Sequence, residues 1–236
     1  KLLNNLNDII MKFVGVIMFI APIGLGAYFA NLVATYGPEI VGDYGRSMLV
    51  YYPLCLLYAV IFFPLYAFLA GGKLGVKRMV KNIFPPAITA FATQSSAATI
   101  PVTVECTKKN GVADSIAEFV CPLCATIHLS GSTITLTSCS IAVMMMMGQP
   151  VTFAKMFPFI LMLGITMVAA PGVPGGAVMA ALGILQSMLG FDETMQGLMI
   201  ALYIAQDSFG TACNVTGDGA IAVFMDAITN KKKQNA

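Results

Sequence analysis

The chain has 236 residues, of which 58% are hydrophobic and only 10% charged. A soluble domain carries about 25% charged residues, so this balance excludes an ordinary soluble enzyme, points to an integral membrane protein in a lipid bilayer, and gives no reason to expect a nucleic-acid partner. The formal net charge of +2 excludes little, because the placement of the charges carries the information.

The polar stretch 1–8 starts on Lys1 and runs into an apolar span with no cleavage-site pattern. A fragment of a longer protein is expected. Residues 9–35 form a first span, with a kink at Pro22. Residues 45–70 form a second, rich in Tyr and Phe. Both exceed the roughly 20 residues that cross a bilayer. A basic loop follows, with Lys73, Lys77, Arg78 and Lys81. Residues 83–107 hold Pro85-Pro86, then Gln94-Ser-Ser at mid-segment and Pro101. Split there, each arm has about 12 residues, or roughly 18 Å at 1.5 Å per residue. That reaches only partway through a core of about 30 Å, so a re-entrant helical hairpin is expected. Residues 113–147 form a third span, interrupted at 128–133. Residues 153–189 read as a second hairpin, with its tip at 171–176. Residues 194–228 form the last span, before a polar Lys231-Lys232-Lys233 tail.

The last span carries Asp207-Ser-Phe-Gly-Thr-Ala-Cys-Asn-Val-Thr-Gly-Asp218. A carboxylate in hydrocarbon costs at least about 2.5–3.5 kcal/mol, so it faces a cavity, a partner or an ion. The two Asp are 11 residues apart, close to three helical turns. The Asn-Val-Thr-Gly between them suggests local unwinding, with carbonyls freed as ligands. Hairpin followed by broken helix occurs twice, the sequence sign of a transporter site at the midplane. With the Ser95 tip entering from the cytoplasm, 11 basic residues fall inside and only Arg46 and Lys155 outside. The positive-inside rule then makes the second hairpin enter from outside, as an inverted repeat.

Gln94-Ser-Ser-Ala-Ala-Thr-Ile-Pro-Val-Thr103, Gly172-Val-Pro-Gly175 and Asn214-Val-Thr-Gly-Asp218, in this order and spacing, resemble the dicarboxylate/amino acid:cation symporter family of glutamate-transporter type. The resemblance covers the whole chain and matches the second half of that family's fold. It implies an all-α membrane protein with two inverted re-entrant hairpins and broken helices, in a homotrimer in the cell membrane. Residues 1–40 would be a scaffold-type helix, 41–230 the transport domain and 231–236 a cytoplasmic tail, with the family's amino-terminal half absent. It further implies that Asp207 binds a substrate ammonium with help from Thr211 and the carbonyls of Gln94 and Val173. Asn214, with Ser95 and Ser96 at the first tip, would hold the α-carboxylate; helix N-termini favour an anion there. Asp218 and the carbonyls of Asn214, His128 and Cys124 would bind one Na⁺. The carbonyl of Thr126 and those of residues 169–172 would bind a second. Such oxygen shells suit hard cations.

The departures are informative. Acidic-substrate members carry an Arg where this chain has Gly210, and a basic residue often precedes the hairpin serines where it has Gln94. Without a guanidinium to grip a second carboxylate, a small amino acid with a neutral side chain fits better than an acidic amino acid or a dicarboxylate. The motif usually reading Asn-Met-Asp-Gly is His128-Leu-Ser-Gly131, which removes ligands of a further Na⁺. His128, the single His, leaves H⁺ coupling open as an alternative. An intramembrane hydrolase pairing His128 with Ser130 or Ser132, or with a Cys, fares poorly, since residues two apart on a helix do not face each other and no Gly-x-Ser-x-Gly elbow is present. A passive channel conflicts with a closed ligand cage. The Cys121-Pro-Leu-Cys124 spacing lacks a second half for a zinc site, so all six cysteines read as small apolar packing residues.

Overall fold

Pro, Gly and Ser residues punctuate this chain into helices of very unequal length. The structure, a computed structural model, describes residues 39–234 without gaps. Before them it describes only positions 9, 12, 13, 16, 19, 20, 22–24, 26, 27, 30, 31, 33–35 and 37. The first span is described only in part, and its described positions, Pro22 among them, are helical; the polar positions 1–8 lie outside the described residues.

Eight labelled helices follow among the described residues: α1 Glu39–Lys81, α2 Phe84–Thr93, α3 Ser96–Lys109, α4 Asp114–Ile127, α5 Ser130–Met146, α6 Phe153–Met167, α7 Gly176–Ile184 and α8 Glu193–Gln234. A single π-helical turn, Leu185–Leu189, extends α7. No strand occurs among the described residues. Among the described residues, two stretches are long and apolar enough to cross a membrane, Val41–Lys81 and Asp114–Met146. The chain divides into two compact units, Lys1–Gly45 and Arg46–Ala236. The site elements all belong to the second.

Helix α1 leaves helical geometry only at Gly71 (φ −144°, ψ 21°) and Gly72 (φ 58°, ψ −144°). The expected span thus ends where the kink begins. The basic stretch after it, expected as a loop, is helical instead. Lys, Arg and Val there are compatible with a helix, and Arg78 finds fixed acceptors across the fold.

The first hairpin is α2 and α3, packed on each other. Its turn is two residues long. Gln94 ends α2 in the left-handed region (φ 52°), which few non-Gly residues occupy. Ser95 then starts α3 as its N-cap, accepting from the Ala98 N–H at 3.1 Å. The arms hold 10 and 14 residues, or about 15 and 21 Å at 1.5 Å per residue. Their threonines are not left orphaned. Thr89, Thr93, Thr99 and Thr103 each donate to a carbonyl four residues back, a local bond that lets hydroxyls sit in an apolar setting.

The expected interruption at 128–133 is narrower in the structure. Only His128 (φ −111°, ψ 84°) and Leu129 (φ −113°, ψ 49°) are non-helical between α4 and α5. The second hairpin, α6 and α7, turns through Val168–Gly175, where Gly175 adopts φ 71°.

The unwinding expected at Asn214-Val-Thr-Gly does not occur. Helix α8 runs unbroken through it over 42 residues. The Asn214 side chain is engaged by another helix, and Gly217 is packed against His128 and Phe63, so surrounding contacts hold these weak helix formers in register. Helix α8 packs against α2, α3, α4, α5 and α7 and is the element around which the others assemble.

Candidate functional site

Two close approaches bring the elements together. Gly131 of α5 crosses Gly210 of α8 so tightly that a Cβ at either position would strike the other helix. Only glycine permits this crossing. It delivers the start of α5 to the middle of α8, where Asn214 waits one turn further on.

Asn214 is 1% exposed. Its Oδ1 accepts from the Gly131 N–H at 2.7 Å and the Ser132 N–H at 3.3 Å. Helix α5 has no side-chain cap of its own, so Asn214 caps it from a different helix. Its Nδ2 donates to Ser132 Oγ at 2.9 Å. An amide nitrogen has two hydrogens, so one N–H remains for a ligand.

Asp207 lies two turns earlier on the same helix and is 3% exposed. Its Oδ1 accepts from Thr211 Oγ1 at 3.1 Å, and its Oδ2 accepts from the Gly175 N–H at 3.0 Å. The Thr211 hydroxyl lies one turn after on α8 and orients the carboxylate from within the same helix. The Gly175 N–H comes from the tip of the second hairpin.

The two tips touch. Ser95 Oγ donates to the Gly172 carbonyl at 2.8 Å, and the Ala97 N–H donates to the same oxygen at 3.0 Å. Gln94 Nε2 donates to Ser208 Oγ at 2.9 Å, tying the first tip to α8. Gln94, Ser96, Val173, Asp207, Thr211 and Asn214 line one cavity of about 10 Å³, room for about one water. The sequence-expected substrate residues other than Ser95 therefore line one cavity, where the two tips meet. Ser95 joins them through its contact with Gly172 and does not line the cavity itself.

The expected cation residues converge on the helix break. Asp218, 1% exposed, sits with Oδ1 2.9 Å from His128 Nδ1. The side chain of His128, rather than its carbonyl alone, thus reaches Asp218. The Cys124 carbonyl accepts the His128 N–H at 2.8 Å, keeping one lone pair. The last carbonyls of a helix lack intrahelical donors, so Thr126 and its neighbours can ligate a cation. The Asn214 carbonyl lies inside continuous α8, where it serves the helix. This differs from the freed carbonyl expected of an unwound segment.

Gly210 does not line the cavity; a Cβ there would meet Thr135 Oγ1 at 2.8 Å and Tyr51 OH at 3.4 Å. Leu129, Ser132, Ala177 and Tyr203 also line the cavity, and sequence reading gave them no ligand role; Pro171 and Gly172 line it too, from the stretch expected to offer carbonyls to a cation. Ser132 and Tyr203 each had a legible signal. One follows the helix break, and the other stands one turn before Asp207.

A family model described as the sodium:dicarboxylate symporter family matches residues 1–228. The chain is 28% identical to a serine/threonine transporter, SstT, of Streptococcus thermophilus over 237 residues, covering 99% of this chain and 58% of that protein. It is 29% identical to neutral amino acid transporter B(0) of Bos taurus over 239 residues, covering 98% of this chain and 44% of that protein. The chain spans about half the length of the curated relatives it matches.

Proposed function

Because the chain belongs to the sodium:dicarboxylate symporter family, we propose that it forms the substrate-binding part of a secondary symporter. In this reading Na⁺ entry drives uptake of a small amino acid with a neutral side chain, by alternating access. Membership itself sets the chain among transporters rather than enzymes.

One observation carries the reading: Asp207 and Asn214 border a single small cavity that both hairpin tips also line, and the tips bond to each other. Asp207 receives the ammonium in place of the Gly175 N–H. The free Asn214 N–H and the start of α3 receive the α-carboxylate. No cationic side chain lines the cavity, so a second carboxylate finds no partner. The names of the similar transporters, for serine/threonine and for neutral amino acids, agree with a neutral substrate. The hairpins are re-entrant in this proposal, with arms too short to cross about 30 Å of hydrocarbon, and the assembled protein is a homotrimer in the cell membrane. Residues 1–40 serve as scaffold and 41–230 as the moving domain.

Asp218, His128, Cys124 and Thr126 form the cation region, with fewer Na⁺ coupled than in acidic-substrate members. Reversal potentials test the stoichiometry; three Na⁺ per substrate would overturn it. A second reading is favoured by the 2.9 Å contact of His128 with Asp218: a proton on this pair replaces one Na⁺. Proteoliposomes of the full-length protein separate the readings. Amino acid should accumulate only with an inward Na⁺ gradient; accumulation driven by a pH gradient alone selects the proton. Mere equilibration of the amino acid would identify a channel and sink both.

A further inference from the structure

With the ammonium and carboxylate ends of the site assigned, the cavity residues left over are Leu129, Ser132, Pro171, Gly172, Ala177 and Tyr203. These are what a substrate side chain would meet. All but Tyr203 are small or apolar. Tyr203 is the largest, and it is 1% exposed. It stands on α8 one turn before Asp207, so its ring extends along the same face as the carboxylate. Its hydroxyl donates to Ser132 Oγ at 3.2 Å. The phenol therefore bridges from α8 to the start of α5 and walls off the cavity there.

We propose that Tyr203 is a specificity-determining residue: its ring limits the substrate side chain to a small one, and its hydroxyl, with that of Ser132, reads a hydroxyl on that side chain. The proposal rests on the cavity being the amino-acid site and names the substrate class, a small hydroxyl-bearing amino acid.

The chemistry favours a hydroxyl over an alkyl group. Each protein hydroxyl can donate once and accept twice. Ser132 Oγ already accepts from Asn214 Nδ2 at 2.9 Å, and Tyr203 adds the second contact. A substrate hydroxyl can enter this chain, giving one bond and taking another. An alkyl group of equal size cannot, and it would shield the pair from water without replacing a bond. Such a site discriminates against the analogue that lacks the polar group more sharply than an apolar pocket discriminates by size. The ring matters for bulk. Tyr203 is fully packed, so a long side chain would have to displace it, and dense interiors resist such displacement. Gly210 cannot supply the size limit, because its Cβ position faces Thr135 and Tyr51 outside the cavity.

The test uses the full-length protein in proteoliposomes, with Na⁺-driven uptake of L-serine, L-threonine, L-alanine, L-leucine and L-methionine. Wild type should prefer serine to alanine by roughly 10-fold in kcat/KM, the net worth of one neutral hydrogen bond. Tyr203→Phe keeps the ring, so it should fold; the preference should fall to about one, because KM rises more for serine than for alanine. Tyr203→Ala should raise leucine and methionine uptake by roughly 10-fold or more. If that variant does not fold, Tyr203→Phe decides alone. A wild-type ratio near one, an unchanged ratio in Tyr203→Phe, or an equal fall for serine and alanine would each overturn the proposal. Failure of wild type to accumulate any of the five would instead overturn the symport reading beneath it.

Discussion

Asp207, Asn214 and Asp218 were legible as residues but not as geometries. A buried carboxylate is costly, so two of them in an apolar span announce a site from sequence alone. Their partners lie 32 to 90 residues away, Gly175 for Asp207 and His128 for Asp218, and no local pattern reveals such contacts. Asn214 shows this most clearly. Its cap on α5 comes from a helix more than 80 residues distant. Asn214→Ala should lower stability by about 1–2 kcal/mol through loss of the cap and also abolish substrate binding. Asn214→Asp keeps an acceptor for the cap but loses the N–H donors, so thermal stability should hold while binding fails. Thermal shift with and without amino acid separates the two. Asp207→Asn removes a charge-assisted partner of about 1.5–3 kcal/mol, so amino-acid affinity should fall about 10- to 100-fold. Asp218→Asn should instead lower Na⁺ affinity, with amino-acid uptake recovering at high Na⁺; Na⁺ titrations of uptake check this.

At the scale of elements, breaks caused by local chemistry were readable and a break countered by packing was not. Ser95 caps α3 and Gly175 takes φ 71°, and both signals stand in the sequence as turn residues. The Asn-Val-Thr-Gly segment carries similar residues yet stays helical, because α8 is held on every side by other helices. The contact between the tips is the element-scale feature that bears on transport. Opening the second hairpin must break the Ser95 and Ala97 bonds to Gly172 and the Gly175 bond to Asp207. A disulfide between Ser95→Cys and Val173→Cys should therefore block uptake, and a reductant should restore it. Undiminished uptake in the cross-linked protein would show that this hairpin is not the gate.

Across the whole molecule, one polar junction ties distant parts of the second unit at the end opposite the cavity. Arg78 of α1 pairs with Asp226 of α8 at 3.1 Å and donates Nε to the Asn110 carbonyl at 2.8 Å; it also reaches the Gly111 carbonyl. Asp226 accepts the Ala113 N–H at 3.0 Å. Asp226, a charged residue in an apolar span, is thus 2% exposed, and one of the basic residues counted by the positive-inside rule is a tie between three elements. Arg78→Ala should destabilise the protein by about 1–3 kcal/mol, less than the loss of a fully buried pair, as read by its melting temperature in detergent. The sequence by itself determined the membrane class, the helical architecture, the two hairpins and the identity of the costly carboxylates. Those follow from composition, segment length and turn chemistry, which are local quantities. Only the tertiary structure decided that α8 stays continuous, that Asn214 caps a foreign helix, that Gly210 faces a helix crossing, and that Tyr203 closes the cavity. Each of these depends on which side chains meet across long sequence separations, where packing and hydrogen-bond satisfaction override local preference.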